Sequence, residues 1–190
     1  MGDRYGEPRQ LTIERDVPAV AVPWGTAETL AAGQLAQVTQ RLGGTITVMV
    51  GGNLYRVEEK DADALGLEPN VIPPVADLDA GETPTVEAVE AAAWKVLSTC
   101  YDPEIPIDIV NLGLIYTCFA SALDNGRFRL DVQMTLTAPG CGMGTLLCDE
   151  AREKLLTIPG VDQARVELVF DPPWTRYMMS EAARLEMGLM

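Results

Sequence analysis

Histidine is absent from all 190 residues of this chain. Its absence excludes Ser-His-Asp and Cys-His nucleophile systems and every histidine-bearing zinc site. Acid–base work near neutral pH would fall to perturbed carboxylates, thiols, Lys or Tyr. Basic residues are scarce too: 14 Lys and Arg stand against 28 Asp and Glu, a net charge of −14. With no basic stripe to displace phosphate counterions, neither a nucleic acid nor an anionic membrane surface is an expected partner. No apolar run approaches ~20 residues, so no membrane span is expected. The N-terminus lacks a basic stretch leading into an apolar core, which argues against a secretory signal. The four cysteines include no Cys-x-x-Cys pair. The expectation is reduced thiols in a cytoplasmic protein.

Apolar residues make up 47% of the chain, a globular proportion. The acids are spread over both halves, so they read as a solubility feature rather than a tail. Residues 1–10 are polar and aperiodic and are expected to be a flexible leader. Residues 68–84 hold Pro69, Pro73, Pro74, Gly81 and Pro84 among acids with no sustained period, and mark a linker.

Between these, residues 11–67 read as a small β-rich domain. Val17 to Val22 is short and β-branched. Thr45 to Val50 and Leu54 to Val57 flank Gly51-Gly52-Asn53 as a hairpin. Gln34 to Leu42, bracketed by glycines, reads better as a strand than as a helix.

Residues 85–190 carry sharper signals. Thr83-Pro84 resembles a helix start, and Val86, Val89, Ala93, Val96 and Cys100 trace one helical face. Leu112 to Ala120 reads as a buried strand. Phe128, Leu130, Val132, Met134 and Leu136 alternate strictly. Gly144, Leu147, Cys148, Ala151 and Leu155 form a second helical face, Ala164 to Phe170 alternates again, and Met178, Ala182, Leu185 and Leu189 suggest a terminal helix. The order α-β-β-α-β-α implies an α+β, two-layer domain with helices on one face of a small sheet, preceded by the all-β unit.

Three segments stand out for chemistry: Asp102-Pro103-Glu104-Ile105-Pro106, Met134 to Gly142 with the turn Pro139-Gly140-Cys141, and Asp171-Pro172-Pro173-Trp174. Cys100, Cys118 and Cys148 fall at apolar positions and read as core filler. Cys141 differs, because Pro139, Gly140 and Gly142 lack the bulk to cover it. It stands at a strand-to-helix turn, where unpaired helix amides favour thiolate. Cys148 would lie roughly 10 Å along the helix axis, too far to share one ion easily. Asp102 and Glu104, with Asp108 and Asn111 following, are most simply turn residues. If the first helix crosses the sheet, though, its C-terminal loop approaches Cys141. Carboxylates beside a thiolate raise its pKa by repulsion, which a cation relieves, so the constellation suits a metal better than attack on a carbonyl. Trp174 reads first as an aromatic plug in a stiff turn, and second as a lid or partner anchor.

Asp102 through Tyr116, taken with Met134 through Cys141, resembles the iron–sulfur cluster assembly domain family. That family includes bacterial SufT, the phenylacetate-pathway protein PaaD and a subunit of the eukaryotic cytosolic iron–sulfur targeting complex. Gly43-Gly44-Thr45, Gly52 to Val57 and Asp61 to Gly66 resemble the extra domain of SufT-type members, as does the tail from Asp171. The resemblance implies a role in maturing iron–sulfur proteins, with Cys141 as the motif cysteine and Asp102 and Glu104 as the motif acids.

Three functions follow. In the first, an accessory maturation factor binds iron or a transient cluster at Cys141, with Asp102 and Glu104 as secondary ligands or polar neighbours. Stable clusters usually take four thiolates, so ligation would be labile, shared across a homodimer, or completed by a partner. Assembly proteins and client apo-proteins are its expected partners. In the second, a metal-free adaptor docks the assembly machinery to clients. The third, a thiol enzyme, ranks last without histidine, and the chain is expected not to be an enzyme.

Overall fold

The computed structural model describes residues 10–70, 84–138 and 142–189. The expected leader up to residue 9, most of the expected linker, and the Pro139–Cys141 turn lie outside the described residues. The chain forms two compact units, one up to residue 72 and one from residue 73.

The first unit is an antiparallel sheet of β1 (Gln10–Thr12), β2 (Val17–Val22), β3 (Thr26–Leu30), β4 (Leu35–Leu42), β5 (Thr45–Val50) and β6 (Asn53–Glu58). The strands are ordered β1-β4-β5-β6-β2-β3. Leu42 pairs with Thr45 and Val50 with Asn53. Each two-residue turn between them is a glycine pair with both φ positive, at +62° and +89° for Gly43-Gly44 and +59° and +89° for Gly51-Gly52. Such turns match the twist of the strands they join. A 3-10 segment, Glu59–Leu65, folds back and adds Ala62, Ala64 and Leu65 to the core of Ile13, Val17, Ile46, Val48 and Val57. Arg15 fixes it by pairing with Asp61 at 2.9 Å and Asp63 at 2.7 Å.

The second unit contains α1 (Val86–Leu97), β7 (Ile115–Ala122), β8 (Phe128–Met134), α2 (Met143–Leu155), β9 (Val161–Leu168) and the short α3 (Glu181–Glu186). α1 begins two residues later than the sequence suggests: Thr85, not Thr83, is the cap, its hydroxyl accepting from the Ala88 N–H at 3.2 Å. β7 pairs antiparallel with β8, and β8 pairs parallel with β9. A parallel pair needs a crossover, which α2 supplies.

Phe128, Leu130, Val132 and Met134 all enter one core, whereas Arg129 and Gln133 between them are exposed. The apolar face of the sheet takes Val89, Ala93, Val96 and Leu97 of α1, with Leu147, Ala151 and Leu155 of α2. The unit is therefore two-layered, with both long helices on one face of a three-stranded sheet. Lys154 of α2 donates to the Thr99 carbonyl at 2.7 Å, tying the second helix to the end of the first.

The terminal helix departs from its expected face. Leu185 and Leu189 are exposed, and the buried positions are Met179 and Ala183. The backbone sets this offset, because the helix starts only after Ser180, whose hydroxyl accepts from the Ala183 N–H at 3.1 Å.

Gly113 ends the loop that follows α1. Its φ is +70°, and a Cβ there would stand 2.2 Å from the Met178 carbonyl oxygen. Gly113→Ala is expected to destabilise this unit by about 2–4 kcal/mol, combining left-handed strain with backbone overlap. Urea denaturation of the variant measures it.

Candidate functional site

The loop from Tyr101 to Gly113 is built from its own carboxylates. The Ile109 N–H donates to the Cys100 carbonyl at 2.9 Å, closing its base. At the near end, Asp102 Oδ1 accepts from the backbone N–H of Glu104 at 2.8 Å and of Ile105 at 3.0 Å. At the far end, Asp108 Oδ1 accepts from the N–H of Val110 at 3.1 Å and of Asn111 at 2.9 Å, while Oδ2 accepts from Asn111 Nδ2 at 2.7 Å. Both are turns in which a side chain replaces a backbone acceptor. Ile107 and Ile109 anchor the loop in the core.

The two candidate acids are thus placed differently. Asp102 is partly buried and commits one oxygen to its own turn, while Glu104 is exposed to solvent. Burial pushes the Asp102 carboxyl above its ordinary 3.8, opposed by the N–H groups of Glu104 and Ile105. A raised acid binds its proton more tightly when folded. Its contribution to stability is therefore complete below about pH 4 and is lost as the pH climbs through the raised value. Asp102→Asn keeps an oxygen acceptor and removes the charge. The variant is expected to gain stability relative to wild type as the pH rises above about 4, measured as the difference in urea midpoints.

Cys141 lies outside the described residues. Among the described residues, no three acidic or thiol side chains converge as a metal cluster. Around the turn, α2 starts at Met143, its first turn carries no acidic residue, and Gly142 supplies no side-chain cap.

The other three thiols are chemically quiet. Cys100 and Cys118 are buried, and Cys148 is partly buried. Burial, helped by the nearby Glu90 carboxylate, pushes the Cys118 thiol up to about 12. Cys148 is pushed up to about 11 by burial and by Asp149. Glu90 itself accepts from the Ala120 N–H at 2.8 Å, covering part of the β7 edge.

Thr135 has no role assigned to it from the sequence. By alternation it belongs with exposed Arg129 and Gln133, yet it is only 1% exposed. Its N–H donates to the Leu114 carbonyl at 2.8 Å, and its hydroxyl has no hydrogen-bond partner among the described residues. Such a group costs about 1–3 kcal/mol. The signal was present in the sequence as a threonine continuing an apolar strand just ahead of a Pro-Gly-Cys turn.

Trp174 is a plug with a specific bond. It packs against the core, and its Nε1–H donates to the Leu112 carbonyl at 2.9 Å.

A two-layer α+β domain with an acid-built loop at the end of its first helix defines the class. Residues 90–168 match the family described as iron-sulfur cluster assembly protein. An Fe-S protein maturation auxiliary factor of Staphylococcus aureus named SufT is 43% identical over 88 residues, covering 46% of this chain and 96% of that protein. A Porphyromonas gingivalis protein of the same description, without the SufT name, is 41% identical over 96 residues, covering 50% of this chain and 88% of that one. Among solved structures, a domain of unknown function, DUF59, from Bacillus anthracis is 34% identical and covers 55% of this chain and 96% of its own, with a TM-score of 0.48. The chain belongs to the iron–sulfur cluster assembly protein family. The matched family segment falls wholly within the second unit. No described helix is long and apolar enough to cross a membrane.

Proposed function

We propose that this chain is an accessory factor in iron–sulfur protein maturation, acting in the cytoplasm and not as an enzyme. It takes iron or a transient cluster as cargo at Cys141 and passes it to client apo-proteins in concert with other assembly proteins. The observation that carries this reading is its 43% and 41% identity to Fe-S protein maturation auxiliary factors over most of their length. The thiol chemistry supports it by elimination. Soft-metal ligation needs thiolate; burial raises the Cys118 and Cys148 thiols to about 12 and about 11, and Cys100 is buried.

Glu104, exposed to solvent beside the Asp102 turn, serves as the secondary ligand in this reading, and Asp102 keeps the turn in shape. One thiolate with carboxylates falls short of the four thiolates a stable cluster takes. Completion by a partner, a small thiol or a second copy in a homodimer keeps the cargo labile. Lability is what a carrier requires.

One observation favours a metal-free adaptor: Asp102 spends an oxygen on its own backbone rather than presenting both. The two readings separate in a complete assembly mixture with an apo-client. Cys141→Ser is expected to lower client activation at least tenfold if the chain carries cargo, whereas unchanged activation establishes the adaptor.

A further inference from the structure

The segment after β9 closes back onto the end of the loop that follows α1 and the first residues of β7, and it lies beyond the matched family segment, which ends at residue 168. Four contacts join the two. The Tyr116 hydroxyl donates to the Pro172 carbonyl at 2.8 Å and lies 3.7 Å from Met178 Sδ. Trp174 Nε1–H donates to the Leu112 carbonyl, and the Ser180 N–H donates to the Asn111 carbonyl at 2.9 Å. The Met178 carbonyl sits where only a glycine at position 113 leaves room.

These contacts are concentrated on 111–116, the stretch leaving the Asp108 turn and entering β7. The carbonyls of Asn111 and Leu112 are not used by a strand or helix. Without the tail they would turn to solvent, and the turn capped by Asp108 would keep only its local hydrogen bonds, those of its side chain and those from the Leu112, Gly113 and Leu114 N–H groups to the Asp108, Val110 and Ile109 carbonyls.

We propose that Tyr116 and Trp174 form a hydrogen-bonded clasp by which the C-terminal segment sets the conformation of the Asp102–Gly113 loop. They are positioning residues, since neither lies within the candidate donor set. The working domain therefore extends past residue 168 to at least Ala183, whose side chain is buried in the same core. The clasp rests on contacts within the second unit and not on iron binding, so it stands or falls independently of the proposed cargo.

Local opening of a loop is read by amide exchange at groups that open without global unfolding. In full-length protein, Tyr116→Phe combined with Trp174→Phe removes both side-chain donors and leaves an aromatic ring at each position, the one at 174 smaller than the indole it replaces. Exchange at the amides of Glu104, Ile105, Val110 and Asn111 is expected to accelerate at least tenfold, with Leu130 and Val132 in β8 unchanged. Unchanged exchange in the loop overturns the clasp. So does equal acceleration in β8, which would mark general destabilisation instead of positioning. Should the double variant not fold, Trp174→Phe alone is read by the same criteria.

Discussion

Treated with iodoacetamide near pH 8, the folded chain is expected to take up one label, at Cys141, long before any other thiol reacts. Only thiolate attacks the reagent. With thiols at about 11 for Cys148 and about 12 for Cys118, the thiolate fractions at that pH are roughly one in a thousand and one in ten thousand. A thiol of ordinary pKa, about 8.5, is about one-quarter ionised. The thiolate populations therefore favour Cys141 by about two hundredfold over Cys148 and two thousandfold over Cys118, ratios that the greater nucleophilicity of the more basic thiolates narrows without reversing. Cys100, buried where the chain leaves α1, is shielded by burial. Peptide mass mapping over a time course measures all four. Labelling of Cys118 or Cys148 at a rate comparable to Cys141 would remove the chemical distinction on which the carrier reading depends.

Leu130→Ala is expected to cost about 3–5 kcal/mol and to unravel the second unit first. Leu130 lies on the middle strand of the three, fully buried in the core that both helices share. Truncation there loses the burial of several methyl and methylene groups. It also leaves a cavity that strands paired on both sides cannot close. Amide exchange of β8 and α1, or urea denaturation, reads the loss. A cost below about 1 kcal/mol would mean that the core repacks freely, contrary to the tight strand pairing on both sides of β8. Leu185→Ala is the matched contrast, since Leu185 is exposed and little change is expected.

The architecture of the second unit was legible because burial there is one-sided. Phe128 to Met134 alternates since one face of β8 meets helices and the other meets water. The faces of α1 and α2 follow for the same reason. β4 was legible despite its helical spacing, because glycines on both sides allow a length suited to a strand.

Elements with little to bury were silent. β3, Thr26–Leu30, has four exposed residues and one buried, and β1 is three residues of which none is fully buried. Pairing with β2 and β4 makes them strands, and backbone pairing leaves no mark on the residue types. The tail misled by one register step: its Leu185 and Leu189 look like a buried face, but the hydrogen bond from Ser180 to Asn111 fixes which side of α3 turns inward.

At the site, the sequence located the Asp102 loop and suggested both of its readings. Only geometry separates the roles of the two acids, because an Asp two residues before a backbone N–H can close a turn or face outward with the same sequence. Trp174 was legible as a plug. Its bond to Leu112 was not, since that partner is a carbonyl, and every residue has one.

The proposed function turns on Cys141 holding cargo and giving it up. The direct measurement loads the full chain anaerobically with isotopically labelled iron and sulfide, adds an apo-client together with a chelator that captures iron released to solution, and counts label in the client. Label is expected in the client from wild type, with the visible absorption of the donor falling as it arrives, and neither from Cys141→Ser. Client maturation sustained equally well by iron-free Cys141→Ser would contradict the claim.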